Sequence, residues 1–168
     1  MLKNKIKQYL KYLIALLFIN GLFNNTLSAQ GNALIVPGEE VGVLKLGNPI
    51  GFITQDLGNI EPSRRRKVED GTSSEMWLSY KDLGLTLVFD YETKKLKKIV
   101  VVTPSLLVEG TGIHVGSKKS EVLEYFKEPS KASKTNELDY PQLGIKFIIK
   151  EHDRTVYAIE IKWKKTES

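Results

Sequence analysis

Two histidines, His114 and His152, are the whole imidazole supply of this 168-residue chain, and it has no cysteine. Neither histidine stands in an H-x-x-x-H or H-E-x-x-H spacing, no serine sits in G-x-S-x-G, and no glycine-rich phosphate loop occurs. Glu151-His152-Asp153 could be taken for a weak metal site, but three consecutive residues on a tight turn cannot all face one ion. The expectation is a non-enzyme without catalytic residue, metal or cofactor. A hydrolytic enzyme built around His114 or His152 remains as a third class, which a deep polar pocket holding either residue would favour.

The residues that could do binding chemistry are of two kinds. Arg64-Arg65-Arg66-Lys67 is the densest run of charge, and it reads either as a solvated insertion loop or as a contact for anionic lipid, polysaccharide or peptide. The second kind is apolar. Alternation places Met76, Leu78 and Tyr80 on one face of a strand and Glu75, Trp77 and Ser79 on the other, where Val88, Val100 and Val102 of later strands join Trp77. An apolar patch rimmed by charge marks a partner site when it is open. It is ordinary core when something covers it, and the segment 33–46 or the other half of the chain is expected to do so.

The elements that must carry these residues come from an internal correspondence. Leu78, Tyr80, Leu83, Gly84 and Ile99 recur as Leu138, Tyr140, Leu143, Gly144 and Ile159, an offset of 60. Upstream, Gly47, Ile53 and Leu57 match Gly116, Val122 and Phe126 at an offset of 69, which leaves the basic run in an insertion of copy one. Each copy reads as a helix followed by three strands, 75–80, 85–91 and 96–103, then 135–140, 144–150 and 155–163. Asn48 and Ser117 are the expected helix caps, with Pro49 at the first helical position of copy one and Pro129 ending the helix of copy two. Lys94-Lys95-Leu96-Lys97-Lys98 reads as a hairpin edge, where lysines discourage pairing with other chains. The expected fold is therefore α+β: two duplicated modules, each a helix followed by a three-stranded antiparallel sheet, with the sheets either continuous or abutting.

Trp77, Val100 and Val102 of copy one correspond to Glu137, Glu160 and Lys162 of copy two, so the second face is apolar in one copy and charged in the other.

The N-terminus sets the compartment. Four lysines and no acid within 1–11 precede an uncharged run, Tyr12 to Phe23, and then the small polar stretch Asn24-Asn25-Thr26-Leu27-Ser28-Ala29. That order is a signal peptide, 1–29, and its 12-residue apolar run falls short of the roughly 20 residues that span a bilayer. Removing its four lysines from 25 basic residues leaves 21 against 20 acidic ones, so the mature charge of +1 gives no reason to expect nucleic-acid binding. The remaining organisation is an N-terminal segment 30–40, module one 41–103, a linker 104–109, module two 110–163 and a tail 164–168.

The stretch Gly112-Ile113-His114-Val115-Gly116-Ser117 through Glu121-Val122 to Pro129 resembles the opening of small exported bacterial modules. Those modules are typified by the OmlA-like outer-membrane lipoproteins and the β-lactamase inhibitory proteins. Copy one keeps Gly47 and Asn48 but has Phe52 at the acidic position, and copy two has Lys127 where the family ends its helix with glycine. The resemblance implies a helical element on an antiparallel sheet and a periplasmic or secreted location. The expected function is an exported binding or accessory protein acting on a protein partner in the cell envelope, with membrane contact at most peripheral. The alternative is an envelope-lipid or anionic-ligand binder using 64–67.

Overall fold

The computed structural model describes residues 33–58, 60–62, 64–70, 73–130 and 135–165, without the side chains of Arg64, Arg65, Glu69, Asp70 and Ser73. The expected signal peptide and the last tail residues lie outside that set. Three short strands open the described chain: β1 (Leu34–Val36), β2 (Glu40–Val41) and β3 (Leu44–Lys45). The helix α1 (Ile50–Asp56) follows, then β4 (Arg64–Asp70), β5 (Ser73–Tyr80), a 3-10 turn (Lys81–Leu83), β6 (Leu85–Asp90) and β7 (Leu96–Val101). The second half holds β8 (Leu107–Val108), α2 (Lys119–Phe126), β9 (Glu137–Tyr140), β10 (Ile145–Ile149) and β11 (Val156–Lys162).

The expected pair of helix-plus-three-strand modules is not what forms. The described chain is mostly β, with one seven-stranded sheet in the order β4-β5-β6-β7-β11-β10-β9, one four-stranded sheet in the order β3-β2-β1-β8, and two short helices. Three physical causes account for the difference. First, the basic run is a strand: Arg64 to Asp70 pairs residue by residue with Ser73 to Ser79. A strand at a sheet edge can be charged along its length, because its exposed side chains stay solvated. Second, β7 pairs with β11 through Ile159↔Val101 and Ile161↔Ile99, which fuses the strands of both halves into one antiparallel sheet. The lysines of 94–98 therefore flank and enter a central strand rather than an edge. Third, Leu34 and Ile35 pair in parallel with Leu107 and Val108, and this adds the second sheet.

Register explains why the large sheet has one buried face. Leu78, Leu87, Ile99, Ile161, Ile145 and Tyr140 form a single cross-strand row, and all are buried. Each such aliphatic side chain contributes roughly 1.5–3 kcal/mol on leaving water. Ile53 of α1, Val122 of α2, and Ile35, Val41, Leu44 and Val108 of the small sheet complete the same core. Segment 33–46 thus covers the face opposite Trp77, not the face it was expected to cover.

Backbone contacts recur at the spacings seen in the sequence. The Gly47 N–H donates to the Leu96 carbonyl at 2.7 Å, and the Gly116 N–H to the Val156 carbonyl at 2.8 Å. Val102 N–H to Gly84 and Lys162 N–H to Gly144 repeat in the same way, at 2.8 and 3.0 Å. A bulge at Val88/Phe89 is matched by one at Ile148/Ile149, and Lys94 and Arg154 both adopt left-handed φ, 57° and 55°.

The helix starts differ by one residue from expectation. Pro49 itself is the cap of α1, and Lys118 is that of α2, where its N–H donates to the Glu121 carboxylate at 3.0 Å. Ser117 instead accepts the His114 N–H at 3.1 Å. Among the described residues no helix is long and apolar enough to cross a membrane.

Candidate functional site

The outer face of the seven-stranded sheet carries most of the residues singled out in the sequence. Cross-strand rows place Arg66, Trp77, Val88 and Lys98 side by side, and next to them Ser79, Thr86, Val100, Glu160 and Lys146. Val88 is fully buried yet does not belong to the main core, being flanked in its row by Trp77 and Lys98. Trp77 and Val100 are partly exposed, while Val102, one residue past β7, is 45% exposed. The described helices and the small sheet bury their apolar residues on the inner side, so side chains of the sheet's own strands dress the outer one.

Trp77 is held on three sides. Its indole N–H donates to Glu75 at 3.0 Å, the Arg66 guanidinium lies 5.0 Å from the ring centroid, and the Lys98 ammonium lies 5.3 Å from it. Both cations gain from the negative face of the indole π system. Glu75 also accepts from Lys97 at 3.2 Å. Partial burial pushes the Glu75 carboxyl up, but the hydrogen bonds from Trp77 and Lys97 and the charges of Lys97 and Lys98 outweigh it and leave the group below its ordinary 4.5. Beside the indole lies a cleft of about 220 Å³ lined by Arg66, Trp77, Ser79, Thr86 and Val100. The Thr86 hydroxyl donates to that of Ser79 there, at 3.3 Å.

The corresponding half of the face is filled by charge. Lys146 pairs with Glu137 at 3.2 Å and Glu160 at 3.9 Å, Lys98 reaches Glu160 at 3.6 Å, and Lys162 pairs with Asp139 at 3.1 Å. Burial lowers the affinity of Lys146 for its proton, but Glu137 and Glu160 more than compensate and hold it charged. The sequence places Glu75 on the face of Trp77 and sets Glu137 and Glu160 against Trp77 and Val100, but it does not show that Glu75 pairs with Lys97 or Glu160 with Lys98. Lys98 and Glu160, on β7 and β11, become partners only once those two strands are known to be neighbours.

The basic run divides along its strand. Arg66 faces Trp77, and Lys67, next in the alternation, lies over the Tyr91 ring at 4.4 Å. The side chains of Arg64 and Arg65 lie outside the described residues.

His114 borders a separate open groove of about 690 Å³, formed by Thr111 to His114, Ser117 and the α2 residues Glu121, Glu124 and Tyr125 with Lys127. Its Nδ1 is 2.7 Å from the Val115 carbonyl, an acceptor, so Nδ1 carries the proton. Ser117 receives the His114 backbone N–H rather than the imidazole. His152 sits in the exposed turn between β10 and β11. Among the described residues no cluster of three or more histidine and carboxylate side chains could hold a metal.

No family model matches the chain, and no curated protein matches it. Solved structures do. The uncharacterized protein yfeY from Escherichia coli superposes with a TM-score of 0.56 at 13% identity, covering 76% of this chain and 98% of that one. An extracellular protein containing an SCP domain from Bacillus anthracis str. Ames matches with a TM-score of 0.47 and 12% identity over 70% of this chain. A cysteine-rich secretory protein from Staphylococcus aureus subsp. aureus Mu50 gives 0.46 and 13% over 77%. The chain spans 44% and 48% of the length of these last two. The likeness to yfeY is one of fold.

Proposed function

We propose that this chain is the precursor of an exported, non-enzymatic binding or accessory protein, acting outside the cytoplasm through protein–protein contact at the outer sheet face around Trp77. The observation that carries the reading is a partly exposed tryptophan, clamped by Arg66 and Lys98, beside a 220 Å³ cleft on the face turned away from the core. Tryptophan and arginine are the residues most enriched among interface hot spots. The basic–apolar–small order of 1–29 supports export, and the likeness of 112–129 to exported modules supports a periplasmic or secreted location. The hydrogen bonds repeated at offsets of 60 and 69 support a duplicated origin, after which the halves diverged on the outer face. The anionic-ligand reading of 64–67 has less support, because strand alternation parts Arg66 from Lys67.

A photocrosslinking residue placed at Thr86, inside the cleft, tests the proposal in the native host. A discrete protein adduct is expected from position 86 and not from position 92, in the β6–β7 turn. Equal labelling from both positions, or none from 86, contradicts it.

A further inference from the structure

The charges around Trp77 are unequally matched. Lys97 has Glu75, Lys98 and Lys146 have Glu160, and Lys162 has Asp139. Arg66 is exposed, and among the described residues its interaction is with the Trp77 ring alone. A contact between the guanidinium and the ring's π face takes up none of its bonds to an anion, so the N–H fork can grip a carboxylate with two parallel bonds. That contact also restricts the arginine side chain beforehand, so less rotamer freedom is lost when an anion arrives. Next to that fork the cleft offers Val100 and the Trp77 ring as apolar wall.

Size narrows the occupant. Pockets for small ligands run to roughly 300–1,000 Å³ and enclose most of their ligand. A 220 Å³ recess opening on a sheet face suits a single side chain of a larger partner. Membrane surfaces recruit clusters of about four to eight basic residues. At this cleft Lys97 and Lys98 are already paired and Lys67 is on Tyr91.

We infer that the partner segment received at this face is acidic, presenting an aspartate or glutamate to the Arg66 fork and a neighbouring apolar side chain to the cleft between Trp77 and Val100. This rests on the outer face being a protein-contact surface.

The test uses the full chain with Trp163→Phe, which makes Trp77 the sole tryptophan. The probes are blocked octapeptides alternating Glu-Leu, Lys-Leu or Ser-Leu, and vesicles containing phosphatidylglycerol. Trp77 emission should titrate saturably with Glu-Leu and lose the response as salt rises. Arg66→Glu should weaken binding by about tenfold or more, and Arg66→Lys by less, since lysine keeps the charge without the fork. Far-UV circular dichroism and urea midpoints establish that each variant is folded. A response to Ser-Leu or Lys-Leu as strong as that to Glu-Leu overturns the inference while leaving the contact surface standing. Response to the vesicles alone overturns it in favour of lipid. Silence with all probes overturns it too, and the adduct at position 86 then decides separately whether the contact surface survives.

Discussion

At the scale of single residues, Lys127 shows what sequence comparison within the chain can and cannot see. It occupies the place of Gly58 in the other half and of the helix-ending glycine in the resembling modules. The backbone nevertheless keeps the glycine conformation, with φ 62° and ψ −142°. A side chain in that region costs on the order of 1–3 kcal/mol. Lys127→Gly relieves it and loses only part of the gain to the greater freedom of glycine in the unfolded chain. The expected net is a stabilisation of about 1 kcal/mol, or about 3 °C in Tm by calorimetry. A lower Tm would mean that the Lys127 Nζ bond to the Glu124 carbonyl matters more than the strain. Glu75 gives the acid-side prediction. Its folded pKa lies below 4.5, so the folded chain binds its proton less readily than the unfolded one. Its contribution to stability is complete above about 4.5 and fades as pH falls through the lower folded value. In the Trp163→Phe background the Trp77 emission should hold steady from neutral pH down to 4.5 and shift only below it. A transition centred above 4.5 would show that burial dominates the Glu75 site.

At the scale of elements, alternation and glycine spacing were legible and charge was misleading. The strand positions around Leu78, Leu87, Ile99 and their counterparts follow the period of two, and the structure places them in one buried row. The basic run hid β4, because a sequence of arginines looks like a loop until a neighbour supplies its ladder. The lysines of 94–98 looked like an edge for the same reason, and the pairing of β7 with β11 makes them part of the middle. The covering of Trp77 was misjudged because amphipathic pattern fixes which residues share a face, not which segment lies on it. Gly144 reports on a close approach that pattern does not reveal. At φ 70° its backbone lies against the Lys162 carbonyl and, for an added Cβ, 2.6 Å from the Cα of Gly38. Gly144→Ala should therefore cost about 3 kcal/mol, from overpacking and left-handed strain together. Gly58→Ala, at φ 64° with open space around it, meets only the strain and should cost about 1 kcal/mol. Urea unfolding of the two variants compares them, and equal losses would contradict the packing seen at Gly144.

At the scale of the whole molecule, the two faces of the seven-stranded sheet differ in what closes them. Its inner face is closed by two helices and a second sheet, and its outer face is closed by ion pairs over one half and left with a tryptophan cleft over the other. One comparison reads this division most directly: Trp77→Ala against Leu87→Ala, with unfolding free energy and the crosslinked adduct from position 86 measured on each. Leu87 is fully buried in the core row, so its truncation should cost about 4 kcal/mol while folded molecules still give the adduct. Trp77 is only partly buried, so its loss should cost about 2 kcal/mol, less than a core aromatic, and abolish the adduct. If Trp77→Ala instead unfolds the protein as severely as Leu87→Ala, or leaves the adduct intact in folded molecules, the outer face is packing and not a contact surface.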